Sequence, residues 1–151
     1  MTELRPDAGD LEGFLGALVR LEESIDPGNI TVTPFEVSSP TPPHIFNMIL
    51  PSKMDKPTTQ ETGKAVNFGV YVVIPTADVA DEQIAWVRYW DRVSCVLERD
   101  LVFPHQSVLR AAAHYVDPIS FRGLEMTYDS IKYRGIEFVI TAHFRSAFSP
   151  S

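Results

Sequence analysis

The chain has one cysteine in 151 residues. That excludes a disulfide framework, and any zinc site built from the thiolates of one chain. Positive charge is also in deficit: 13 Lys and Arg stand against 20 Asp and Glu, a net charge of −7. A protein that wraps or coats nucleic acid needs a basic footprint, so that class is disfavoured. No apolar run approaches the roughly 18–20 residues that span a bilayer. The opening stretch, Met1-Thr2-Glu3-Leu4-Arg5-Pro6-Asp7, has neither a basic nor an apolar segment. A secretory signal is therefore not expected, and the reading is a soluble chain made in a reducing compartment. On that reading the sequon Asn29-Ile30-Thr31 is a chance match. The glycines are scattered, with no Gly-x-x-x-x-Gly-Lys-Ser/Thr or Gly-x-Gly-x-x-Gly to cradle a phosphate. Gly-x-Ser-x-Gly, His-Glu-x-x-His and internal repeats are missing too.

What is present is globular. Apolar residues make up 44% of the chain, enough for the core of one domain. The 12 prolines exceed the average share of about 5% and predict stiff loops. Residues 1–9 read as a mobile arm. Asp10 can cap a helix over residues 10–25, where Leu11, Phe14, Leu15, Leu18, Val19 and Ile25 form one apolar stripe. Gly13 and Gly16 weaken that helix or admit a neighbouring backbone. Asp26-Pro27-Gly28 stops it. Ile30–Val37 and His44–Leu50 read as strands, and the Pro-rich stretch between them suggests a hairpin. Residues 51–65 are polar and read as a long loop. Val66–Ile74 is apolar on both faces and predicts a central strand covered on both sides.

Asp78 then caps a second helix running to about Asp100, with Asp81 and Glu82 in its first turn. Trp86, Tyr89, Trp90, Val93, Val96 and Leu97 share one side. Ala80, Ile84, Val87 and Cys95 lie on a second side, broken by Asp91 and Glu98, and Arg88, Arg92 and Arg99 cluster on the remaining face. A helix on one sheet needs one stripe, so two predict a second contact, with the first helix or with another chain. Val108–Val116 reads as a strand whose centre can be helical. Ile119–Tyr128 alternates as a strand, Asp129–Gly135 turns, and Ile136–Phe144 is a final strand followed by a short tail. The fold class is therefore α+β: a mixed or mainly antiparallel sheet packed with two main helices, in the order α-β-β-β-α-β-β-β.

Candidate chemistry is sparse. His44, His105, His114 and His143 are far apart and lack metal-ligand spacing, so ordinary hydrogen bonds explain them best. Cys95, among apolar helical neighbours, reads as a small buried hydrophobe, with Arg92 and Arg99 one turn away. Glu22-Glu23 and Asp81-Glu82 are adjacent carboxylates that diverge on a helix, and capping and solvation account for them. Met48, Met54 and the aromatics are read as packing rather than as the lining of a ligand cavity. No catalytic, metal or cofactor residue is nominated.

The layout resembles tail terminator proteins of long-tailed, siphovirus-like bacteriophages, with related neck and minor tail proteins in the same group. The resemblance covers roughly residues 10–145. It rests on the amphipathic helix Leu11–Ile25, a following β-hairpin, the polar loop 51–65 and the strand Tyr71-Val72-Val73-Ile74. The long helix 78–100 and Tyr133-Arg134-Gly135-Ile136-Glu137-Phe138-Val139-Ile140 complete it. The Pro-rich turn at 40–43 departs from a generic member. The resemblance implies a structural virion protein with no enzymatic activity and no cofactor. Such a protein forms a ring, usually a hexamer, that caps the tail tube and stops its polymerisation. The ring offers a surface for head–tail joining, and DNA passes through its lumen without sequence-specific binding.

The implied partners are further copies, the tail tube protein and a head-completion or neck protein. The implied place is the head–tail junction of the virion, after assembly in the host cytoplasm. Lys53, Asp55, Lys56, Glu61 and Lys64 become candidates for a loop that meets a partner or the lumen. Trp86, Arg88, Trp90, Arg92 and Arg99 become candidates for the subunit interface, with Trp86 or Trp90 expected to be buried on assembly. Six copies at −7 each would carry about −42 before screening, which suits a passage that does not hold DNA. Two alternatives stay open: a head-closure or neck adaptor of a phage connector, and a small ligand-binding or enzymatic α+β domain. The last would show a deep apolar pocket with converging polar groups, such as His105, His114 or Cys95 beside a carboxylate.

Overall fold

The computed structural model describes residues 10–54, 61–76, 78–102, 107–113 and 115–147. The expected arm 1–9, His105, His114, Asp55 and Lys56 lie outside the described residues. In chain order the elements are α1 (Asp10–Glu23), β1 (Thr31–Phe35), β2 (His44–Ile49), β3 (Lys53–Met54) and β4 (Glu61–Val73). Then come α2 (Val79–Val102), α3 (Val108–Ala111), β5 (Tyr115–Val116), β6 (Ser120–Tyr128) and β7 (Ile131–Ala147). The seven strands form one mostly antiparallel sheet, ordered β1-β2-β4-β7-β5, with β3 on β4 and β6 on β7. This is the α+β class that the periodicities predict, in nearly the predicted order.

The two faces of the sheet differ. Phe68, Val70 and Val72 of β4 and Ile136, Phe138 and Ile140 of β7 pair across the ladder on the face that carries the helices. α1 adds Phe14, Leu15 and Leu18 to this core, and α2 adds Val93 and Leu97. Gly13 and Gly16 are buried on α1. The opposite face carries a smaller cluster of Phe46, Tyr71, Val73 and Met126. β4 is thus central and covered on both sides, because its residues are apolar at both alternations.

Several expectations change. β1 and β2 are not a hairpin: they pair in parallel, Thr31 opposite His44 and Phe35 opposite Asn47, with a shift between Val32 and Phe35. A two-residue hairpin turn needs residues that accept positive φ, and a Pro-rich stretch cannot supply them. Residues 36–43 can extend to about 26 Å, more than the roughly 17 Å of a five-residue strand, so the chain returns to the start of β1. On the way Pro40 is buried, Glu36 accepts from Tyr128 Oη at 3.0 Å, and Ser39 Oγ donates to Asp129 Oδ2 at 2.6 Å. Pro34 sits within the shift of an edge strand, where a missing N–H costs no ladder bond.

Within the expected loop 51–65, the described residues 53–54 and 61–65 are strand. Lys53 and Met54 pair with Ala65 and Lys64, and β4 pairs with β7 from Glu61–Ala147 onward. Ladder bonds need only backbone, so polar side chains at an extended tip leave no apolar signature. The expected strand Val108–Val116 splits into the single turn α3 and the two-residue β5. Ser107 explains the split: its Oγ accepts from Arg110 N at 3.0 Å and donates to Asp100 Oδ2 at 2.7 Å. The turn at 129–135 shrinks to Asp129 and Ser130, whose φ values of 51° and 67° are the left-handed pair that a tight hairpin requires. β7 therefore begins at Ile131 and continues to Ala147, into the expected tail.

Candidate assembly interface

α2 begins as its sequence predicts. Asp78 Oδ1 accepts from Asp81 N at 3.0 Å, and that bond holds the Asp78 carboxyl below its ordinary value. The first stripe packs inward. Trp86 Nε1 donates to Gly135 O at 3.1 Å, the Trp90 ring lies 5.1 Å from Phe121, and Val93 and Leu97 are buried. Glu82 pairs with Arg134 of β7 at 3.4 Å. The second stripe faces outward: Ile84 is 49% exposed and Val87 56%, and Val102 further along the helix is 66% exposed. Cys95, expected to be buried, is exposed on this same side, because the sheet meets only the first stripe.

The nominated interface residues therefore divide. Trp86 and Trp90 are half-buried against the sheet before any assembly, so the outward surface is made by Ile84, Val87 and Arg88 instead. Arg92 Nη1 is bound to Asp26 Oδ2 at 2.6 Å, which ties α2 to the end of α1. Arg99 Nη2 lies 3.8 Å from Cys95 Sγ. Arg88 has no ion-pair partner among the described residues and borders a groove of about 370 Å³ with Ile84 and Tyr89.

The tip residues sit on different elements. Lys53 lies on β3 opposite Ala65; Lys64 lies on β4 with its Nζ 5.8 Å from the Phe144 ring; Glu61 begins β4 opposite Ala147. Met54 beside them is 78% exposed. α2 meets β7 at Gly135, whereas Lys64 meets it at Phe144. Nine strand residues separate the two, about 30 Å, so the structure does not bring the two candidate sets together.

Sequence reasoning missed the polar groups of the sheet face opposite the helices. Tyr71 Oη donates to Glu137 Oε2 at 2.5 Å, and Arg122 Nε donates to Glu137 Oε1 at 2.7 Å. Burial alone would raise the Glu137 carboxyl; the two donors and the Arg122 charge outweigh it and hold the group below its ordinary value. Burial and the Glu137 contact push the Tyr71 phenol well up. Both carboxylate oxygens are engaged, which suits a clasp between strands. The available signal was register: Arg122, Glu137 and Tyr71 fall in one row across β6, β7 and β4. His44 is buried with Nε2 2.8 Å from Thr33 Oγ1, and burial lowers its pKa. His143 Nε2 lies 3.0 Å from Asp117 Oδ2, its ring stacked 4.0 Å from Tyr115. The solvation assigned to Glu22 is overturned, since its side chain is fully buried between α1 and β2.

Among the described residues, no group of three or more His, Cys, Asp or Glu is placed to hold a metal ion. No helix among them is long and apolar enough to cross a membrane. Several clefts open on the described surface. One of about 530 Å³ lies between Trp86, Tyr133 and the charged Glu82, Glu125, Lys132 and Arg134. No protein-family model matches this chain, and no curated protein matches it either.

Proposed function

We propose that this chain is a structural subunit that assembles with copies of itself into a ring, capping the tail tube of a long-tailed phage. The observation that supports this reading best is the outward stripe of α2. Ile84, Val87 and Val102 are half to two-thirds exposed on a helix whose other side already fills the core. Exposed apolar side chains on the outside of an otherwise satisfied helix fit a protein contact. A ring requires two different patches per subunit that meet head to tail. The edge strand β1 and the β3–β4 tip supply further exposed apolar groups, Phe35 and Met54, on elements away from α2. In the family this layout resembles, such a ring is usually a hexamer, ends tube growth and presents a joining surface to the head.

The test is the native mass of the assembly, measured alone and beside purified tail tubes. Wild-type protein is expected to form a closed multimer on the tubes. The Ile84→Asp/Val87→Asp variant is expected to stay monomeric with an unchanged circular dichroism spectrum. A wild-type chain that stays monomeric beside tubes overturns the reading. So does a doubly substituted chain that assembles as well as wild type.

A further inference from the structure

Glu22 and Asn47 form a closed polar pair at the interface of α1 and β2. Both side chains are fully buried, and Asn47 Nδ2 donates to Glu22 Oε1 at 2.8 Å. That bond leaves two buried atoms without a partner, Glu22 Oε2 and Asn47 Oδ1. An ionised carboxylate and an amide carbonyl can only accept, so these two oxygens cannot satisfy each other as they stand. One proton removes the conflict. Placed on Oε2, it makes a donor for Asn47 Oδ1. The oxygens of a carboxyl group and the O and N of an amide have nearly the same separation, so the two groups lying coplanar can make both bonds at once. We propose that Glu22 is held as the neutral acid in the folded protein and forms a two-point acid–amide pair with Asn47, a proton-dependent latch that docks α1 on β2.

The surroundings favour the neutral acid. Glu23 on the same helix adds a repulsion, and from β2 the facing group is the neutral Asn47. No cation of β1, α2 or α3 is bonded to Glu22 among the described residues. A buried unpaired charge would be costly, whereas a buried and fully hydrogen-bonded neutral pair is not. Burial pushes the Glu22 carboxyl up to about 8 from an ordinary value of 4.5, with the Asn47 bond pulling back and Glu23 adding to the rise. Between those pH values the native state binds one proton more than the unfolded chain. Stability therefore falls as pH rises, by up to roughly tenfold in the unfolding constant per pH unit, and levels off above about 8. The latch lies four positions before Asp26, whose carboxylate holds Arg92 of α2.

The Glu22→Gln variant is the test, because a Gln amide makes both bonds without a proton. Urea unfolding of both proteins from pH 5 to 10 should show the one-proton slope between about 5 and 8 in wild type and its loss in the variant. The infrared difference spectrum, wild type minus variant, should show a protonated carboxyl stretch at pH 6 that disappears by pH 10. Parallel stability profiles, or a carboxylate stretch already present at pH 6, overturn the proposal. Should the variant fail to fold, a carbon-13 carboxyl titration of Glu22 in wild type decides. A midpoint near 8 supports the latch, and one near an ordinary 4.5 overturns it.

Discussion

At the residue scale, Gly135 of β7 has no room for a side chain. A Cβ there would collide with Met126 Cε and lie 3.0 Å from Val72 O. The methionine end can move; the carbonyl of a central strand cannot. Gly135→Ala is therefore expected to lower stability by about 1–3 kcal/mol, the usual range for overpacking. Combining it with Met126→Ala should return only part of that loss in a double-mutant cycle. The Tyr71–Glu137–Arg122 clasp makes a second prediction. Tyr71→Phe leaves Glu137 Oε2 buried without its donor, a loss of about 1–3 kcal/mol by chemical denaturation. Arg122→Ala should cost less, because the Arg122 side chain is largely exposed and water replaces it. Neither site was legible from the chain order alone. Tyr71 and Glu137 are 66 residues apart and become neighbours only through the β4–β7 register.

At the element scale, helices were far easier to read than strand partners. α1 and α2 follow from a period of 3.6, from Asp at their starts and from Asp26-Pro27-Gly28 after α1, and both appear within a few residues of their predicted limits. The capping geometry of α2 gives a direct check. Asp78→Ala is expected to lower the thermal midpoint and helicity, while Asp78→Ser, which still accepts from Asp81 N, keeps both. β1 and β2 show the other side. Their apolar content marks them as strands, yet parallel or antiparallel pairing depends on where residues 36–43 run. That path is set by contacts with β6 and its turn, Glu36 with Tyr128 and Ser39 with Asp129. Likewise the polar tip of β4 is strand because β7 lies beside it, and nothing within 61–65 announces this.

At the scale of the whole molecule, two carboxyls pull stability in opposite directions with pH. Glu137 is held below its ordinary value, so its contribution is present above the unfolded value near 4.5 and is lost as pH falls below it. Glu22 is held above its ordinary value, so its contribution is complete below 4.5 and is lost as pH rises toward 8. Denaturation midpoints measured from pH 3 to 10 should thus decline on both sides of a mildly acidic optimum. Glu137→Gln should flatten the acid limb alone. Assembly is the other whole-molecule property. The outward stripe of α2 was visible in sequence as a surplus, since one sheet could not use two apolar sides of one helix.

By itself the sequence determined the class of the fold, both main helices, the central strand and the existence of a spare apolar face. Each follows from short-range periodicity and from the backbone chemistry of Asp, Gly and Pro. Only the tertiary structure decided which face of α2 is spare, which strands run parallel, and which carboxyls are buried. Those depend on what a residue meets across the sheet: Glu22 and Glu23 are alike in sequence, but one points at Asn47 and the other at solvent. The acidic surplus of the chain thus conceals a carboxyl that the fold asks to stay neutral.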